Sequence, residues 1–147
     1  MSFEEGPYVQ VACFCETVIQ DVKGSFSLIR VVDTIEHSVS GPNPPAEMPP
    51  FQFRLNLVLM LKSGMAQGRW DLKIVPQLPT GETGEPLLFT AHFEGDEKGQ
   101  NFIIDFSFVV KHEGIHWFKV YLGDDLLTAI PLRVKYSRQI IGQTIPR

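Results

Sequence analysis

The sequence predicts an all-β protein, a two-sheet β-sandwich of about eight antiparallel strands of Greek-key, immunoglobulin-like type. Three observations predict it. From Phe51 to Leu61 every second residue is apolar (Phe51, Phe53, Leu55, Leu57, Leu59, Leu61), and Gln52, Arg54 and Asn56 lie between the first four. Side chains alternate faces along a strand, so this period buries one face. The same period recurs between clusters of Gly, Pro, Asp and Asn, which punctuate strands, and no window sustains a helical period. A closed barrel is the second architecture the pattern allows.

The first extended segment is Tyr8 to Val18, where Val9, Val11, Cys13 and Cys15 alternate with Tyr8, Gln10, Ala12 and Phe14. Lys23-Gly24-Ser25 marks a turn into the second, Phe26 to Ile35, whose Leu-Ile-Arg-Val-Val centre reads as buried on both faces. Glu36 to Pro50 carries five prolines and reads as an exposed connection between sheets, because proline cannot donate to a ladder. The third segment, Phe51 to Leu61, ends at Lys62-Ser63-Gly64, and the fourth runs from Arg69 to Pro76. A polar loop, Pro79 to Pro86, precedes the fifth, with Leu87, Phe89, Ala91 and Phe93 on one face. Gly95 to Gly99 reads as a turn into the sixth, where Phe102, Ile104, Phe106, Phe108 and Val110 align. Gly114 breaks the chain before the seventh, whose Phe118, Val120 and Leu122 share a face. Gly123-Asp124-Asp125 is a tight hairpin signal, and the eighth segment runs from Leu126 to Tyr136. The chain thus divides into a single domain, residues 1–136, and a tail, residues 137–147, that carries Ile140, Ile141 and Ile145.

A chain of 147 residues is one domain with room for a core that needs no staples. A net charge of −4 argues against a general nucleic-acid footprint, and neither a long apolar run nor a basic cluster suggests a membrane. The N-terminus begins with Met and has no basic start before an apolar stretch, so the expected location is cytoplasmic, with no leader removed. Cys13 and Cys15 on a strand point to one face at or beyond the reach of an unstrained bridge, so free buried thiols are expected.

His112-Glu113-Gly114-Ile115-His116 matches H-E-x-x-H. That spacing binds zinc when a helix places both imidazoles one turn apart and the Glu polarises a metal-bound water. Here strand patterns flank it and Gly114 favours a turn, so His116 is expected as a hydrogen-bonded ring at the core edge. Asp96-Glu97 and Asp124-Asp125 fall in turns and offer too few oxygens for calcium unless two loops meet. Ser25 and Ser27 lack a nucleophile elbow, and no glycine-rich loop precedes a helix.

With Phe118, Val120 and Leu122 turned inward, Trp117 and Tyr121 face out, as do Val58 and Met60 from the third segment and Ile103 and Val109 from the sixth. Trp, Tyr and Met are favoured interface anchors, so Trp117, Tyr121, Met60 and Val58 are the candidate interface residues.

Cys15-Glu16, Ser27-Leu28-Ile29-Arg30-Val31-Val32-Asp33, His92-Phe93-Glu94-Gly95, Gly114-x-x-Trp117-Phe118-x-Val120 and Leu127-Thr128-x-Ile130-Pro131-Leu132-x-Val134 together resemble an uncharacterised family of small bacterial proteins, a domain of unknown function. The resemblance spans nearly the whole chain. It implies a bacterial, stand-alone, all-β protein with no known activity, an aromatic (typically tyrosine) at the place of His116 and an acidic or similar residue at His112. It supplies no catalytic residues. Its polar positions, Glu16, Arg30, Asp33 and Glu94 here, suit strand-pinning ion pairs.

The function expected is therefore a non-enzymatic protein-binding or scaffold module, with no cofactor or metal. It would act on a protein partner or on itself as a homo-oligomer, through a sheet face or the Pro-rich loop of residues 42–50. The alternatives are a zinc-dependent hydrolase built on His112, Glu113 and His116, and a calcium-dependent membrane-surface module.

Overall fold

The computed structural model describes residues 3–142. Among these residues there are seven strands and no helix: β1 (Tyr8–Gln20), β2 (Phe26–Val32), β3 (Thr34–Gly41), β4 (Phe51–Gln77), β5 (Leu87–Val110), β6 (Gly114–Leu122) and β7 (Asp125–Ile140). The all-β expectation holds. One curled half-barrel sheet replaces the expected two-sheet sandwich of antiparallel strands. Its order is β2-β1-β4-β6-β7-β3, with β5 on β4, and the β3–β7 pair is parallel.

Two expected turns are bends inside continuous strands. Lys62-Ser63-Gly64 lies within β4, and Gly95–Gly99 lies within β5, so four expected segments merge into two. A straight strand of the length of β4, 27 residues, would span about 90 Å, more than twice the ~40 Å breadth of a domain this size. It must therefore bend, and the β4–β5 register slips between Lys62 and Gln67, where it does. Gly64 sits at this bend with φ +58°, and a Cβ there would stand 2.7 Å from the Glu5 carbonyl. The N-terminal segment crosses the bend at this point, and Met65 N–H donates to that same carbonyl at 2.7 Å.

The bend lets β4 serve both halves of the sheet. Its first half pairs with β1, its last residues pair with β6, and β5 follows it throughout. The odd-numbered residues Leu57, Leu59 and Leu61 and, past the bend, the even-numbered Leu72 and Ile74 point into the core. Phe118 of β6 closes that core edge-on against Phe14 of β1 (4.9 Å) and Phe106 of β5 (5.4 Å).

The second expected segment splits at Asp33, and Thr34 begins a new strand that takes Ile35. β2 is an edge strand, with Ile29 and Val31 largely exposed, so its apolar centre is not buried on both faces. The start of the expected Pro-rich connection is β3, which lies parallel to β7. Only residues 42–50 form the connection. It is held by Tyr136 Oη donating to the Pro45 carbonyl (2.6 Å) and Arg138 Nη2 donating to that of Pro44 (3.0 Å). β7 continues to Ile140, so Ser137–Ile140 belongs to the sheet, while Ile145 lies outside the described residues. The Gly123–Asp124 hairpin forms as expected, with Leu122 opposite Asp125.

Candidate functional site

The β5–β6 connection, Lys111 to Glu113, is a short non-helical link, and Gly114 opens β6 at φ +116°. The H-E-x-x-H residues therefore straddle a turn and a strand. His116 is buried, and its Nε2–H donates to the His112 carbonyl at 3.0 Å. Burial pushes its pKa below the ordinary imidazole value. The carbonyl bond opposes this, and the neighbouring His112 adds to it. Glu113 Oε1 accepts from the Tyr136 N–H at 3.1 Å, tying the turn to β7. His112 is exposed. Among the described residues no group of three or more His, Cys, Asp or Glu side chains could hold a metal ion, and this includes the Asp96-Glu97 and Asp124-Asp125 turns.

Beside this turn is a pocket of about 230 Å³. Its walls are apolar: Phe106 and Phe108 from β5, Phe118 from β6, and Pro76 and Leu78 where β4 ends. Val109, Gln77, Lys111 and His112 form its rim, and His116 lines it. The pocket lies where Phe106 and Phe108 of β5, which among the described residues pairs with β4 alone, meet Phe118 of β6. Phe102, Ile104, Phe106 and Phe108 are accordingly only half-buried although they face inward. Sequence alternation identified these positions as core. What it lacked was strand order, which leaves β5 at an edge.

The outer face divides the candidate interface residues into two places. Strand register aligns Gln77, Trp117 and Pro131 in one row, and Leu88, Lys73, Tyr121 and Leu126 in another. Trp117 is 38% exposed, Leu126 50% and Leu88 74%, and the Lys73 ammonium stands 5.3 Å from the Tyr121 ring. Val58 and Met60 lie apart from them. They are buried with Cys15 and packed against Val11, Cys13, Val18, Phe26 and Leu28, a small second core on the opposite face of the sheet. Cys13 and Cys15 are free thiols whose pKa values burial raises, and Cys15 lowers the acidity of Cys13 further.

The polar positions carried by the family resemblance are exposed. Arg30 Nε stands 3.3 Å from Glu16 Oε1, and Lys98 stands 3.5 Å from Glu94. A stronger fork joins β4 to β5, where Arg54 binds Asp105 through both Nε (2.7 Å) and Nη2. The fork holds the Asp105 carboxyl below the usual carboxylate range and raises the guanidinium. Among the described residues no helix is long and apolar enough to cross a membrane.

Comparison with curated proteins finds no match. Among solved structures, a β-glucosidase from Listeria innocua in complex with glucose aligns over 86% of this chain and 16% of its own, at 10% identity and a TM-score of 0.45. The Pseudomonas fluorescens alkylpurine DNA glycosylase AlkC, bound to DNA containing an abasic site analog, aligns over 67% of this chain and 27% of its own, at 13% identity and a TM-score of 0.37. This chain thus spans about a sixth to a quarter of the proteins it aligns with. A family model described as a family of unknown function, DUF6941, matches residues 10–135, and the chain belongs to that family.

Proposed function

We propose that this member of the DUF6941 family is a non-enzymatic protein-binding module that joins a second copy of its own chain through the free edge of β5. The observation that carries the reading is the edge itself. Among the described residues β5 pairs only with β4, and Asn101–Val110 contains one charged side chain, Asp105, already forked by Arg54. Natural edges are usually blunted by unpaired charge, proline or cover, and an uncharged apolar edge is a template for another strand.

The sequence of this edge is self-complementary. Antiparallel pairing about Phe106 sets Ile104 against Phe108 and Phe102 against Val110 on the inner face. On the outer face it sets Ile103 against Val109 and Asp105 against Ser107. No like charges meet, and a two-fold axis makes the contact closed. The free thiols of Cys13 and Cys15 favour a reducing, cytoplasmic setting for the same module.

Sedimentation velocity of the purified chain tests the reading. The expected result is a dimer at tens of micromolar, converted to monomer by Ile103→Lys with Val109→Lys, two exposed positions whose exchange leaves the thermal midpoint nearly unchanged. A wild-type monomer at millimolar concentration would overturn it. A second reading places the partner on the outer face, favoured by the exposed Trp117, Leu126 and Leu88 around Tyr121. In that case Trp117→Ala, not the β5 lysines, abolishes association.

A further inference from the structure

The pocket behind the β5–β6 turn has a shape and charge of its own. We propose that it is a binding site for a small carboxylate bearing one aromatic or branched apolar group. Three features define that ligand.

The first is size. An engineered apolar cavity of about 150 Å³ admits benzene. A pocket of about 230 Å³ therefore has room for one ring and a short chain. The second is the wall. Phe106, Phe108 and Phe118 present ring faces and edges, and Leu78 and Pro76 complete an apolar lining. Such a lining gains from burying an apolar group and rejects a strongly polar one.

The third is the rim. Lys111 is exposed and, among the described residues, forms no ion pair. No acidic side chain lines the pocket, and nearby Glu113 is occupied by the Tyr136 N–H. His116 already donates its Nε2–H to the His112 carbonyl. The free cation is thus Lys111, placed to meet an anion whose apolar end is inside. A carboxylate one or two carbons from the ring matches that order, because charge-assisted hydrogen bonds gain most where the neighbouring surface is apolar.

The same chemistry occurs as a free acid and as the C-terminal residue of a peptide. The experiment is a titration followed by side-chain NMR of the phenylalanine and histidine rings, using 3-phenylpropionate, its methyl ester, and N-acetyl-Ala-Ala-Phe with a free carboxyl. It is run on the wild type and on Ile103→Lys, a change at the β5 edge outside the pocket lining, so the result does not depend on association. The expected result is saturable binding of an acid with shifts at Phe106, Phe108, Phe118 and His116. Lys111→Gln should weaken the acid about tenfold and leave the ester unchanged. Leu78→Trp, which fills the pocket from its wall, should abolish both. Tighter binding of 3-phenylpropionate assigns the site to a free acid, and tighter binding of the tripeptide assigns it to a chain terminus; either sustains the proposal. Absence of saturable shifts at about 10 mM, or equal effects of Lys111→Gln on acid and ester, overturns it.

Discussion

Burial of His116 couples a single imidazole to the stability of the whole sheet. In the folded chain the ring is enclosed and its Nε2 must carry the proton that meets the His112 carbonyl. Its pKa is depressed, first by burial. The unfolded chain therefore takes up a proton before the folded one as pH falls, and the unfolding free energy declines with it. The contribution is fully present above the unfolded imidazole value of about 6.5 and is lost as pH drops below it, until the folded ring also protonates. His116→Tyr, the aromatic that the family resemblance implies here, should remove up to one proton from the slope of stability against pH between 7 and 5. At pH 7 it should stay within about 1–2 kcal/mol of the wild type. Urea unfolding of both proteins across that range checks the slope, and parallel curves would show that another group carries it.

At the scale of the strand, alternation located the apolar faces correctly but could not say how each face is covered. Leu57, Leu59 and Leu61 face the core as the period requires. Val58 and Met60 lie on the opposite face, yet the outward-turned side of β1 and the neighbouring Phe26 and Leu28 cover them. Trp117, on the same face by period, remains 38% exposed. The merging of four expected segments into β4 and β5 has a similar origin. Gly64 and Gly95 carry positive φ as turn residues do, but hydrogen bonding resumes beyond each. A glycine that bends a strand pair and one that reverses it look alike in sequence. The turn at His112–Gly114 was legible because both flanking periods were, whereas the pocket beside it depends on strand order and was not. A measurable consequence separates the two groups of outward residues. Val58→Ala should cost about 2–3 kcal/mol in urea unfolding, as a buried truncation does. Trp117→Ala should cost about 1 kcal/mol or less while acting on any association at that face.

Across the whole molecule, one residue joins the two ends of the sheet. β2 and β3 lie at opposite ends of the strand order, yet only Asp33 separates them in the chain. A flat sheet of six strands would place its outermost pair about 24 Å apart, which a single residue cannot bridge. The curl into a half-barrel is therefore required by connectivity as well as by the core. The Arg133 N–H donates to the Asp33 carbonyl at 2.9 Å, fixing where β3 starts along β7. Beyond that point, among the described residues, β3 depends on β7 alone for its ladder and on His37 stacked 4.2 Å from Phe51. Inserting Gly-Gly between Asp33 and Thr34 lengthens the corner without touching the core, so its effect should be local. Amide exchange in β3 should quicken about ten- to thirtyfold, while amides of β1 and the first half of β4 change less than about threefold. The contrast arises because β4 and β5 run through both halves and hold them as one cooperative unit, whereas β3 is held by one neighbour. Equal acceleration across all strands would show instead that the Asp33 corner maintains the curl for the entire sheet.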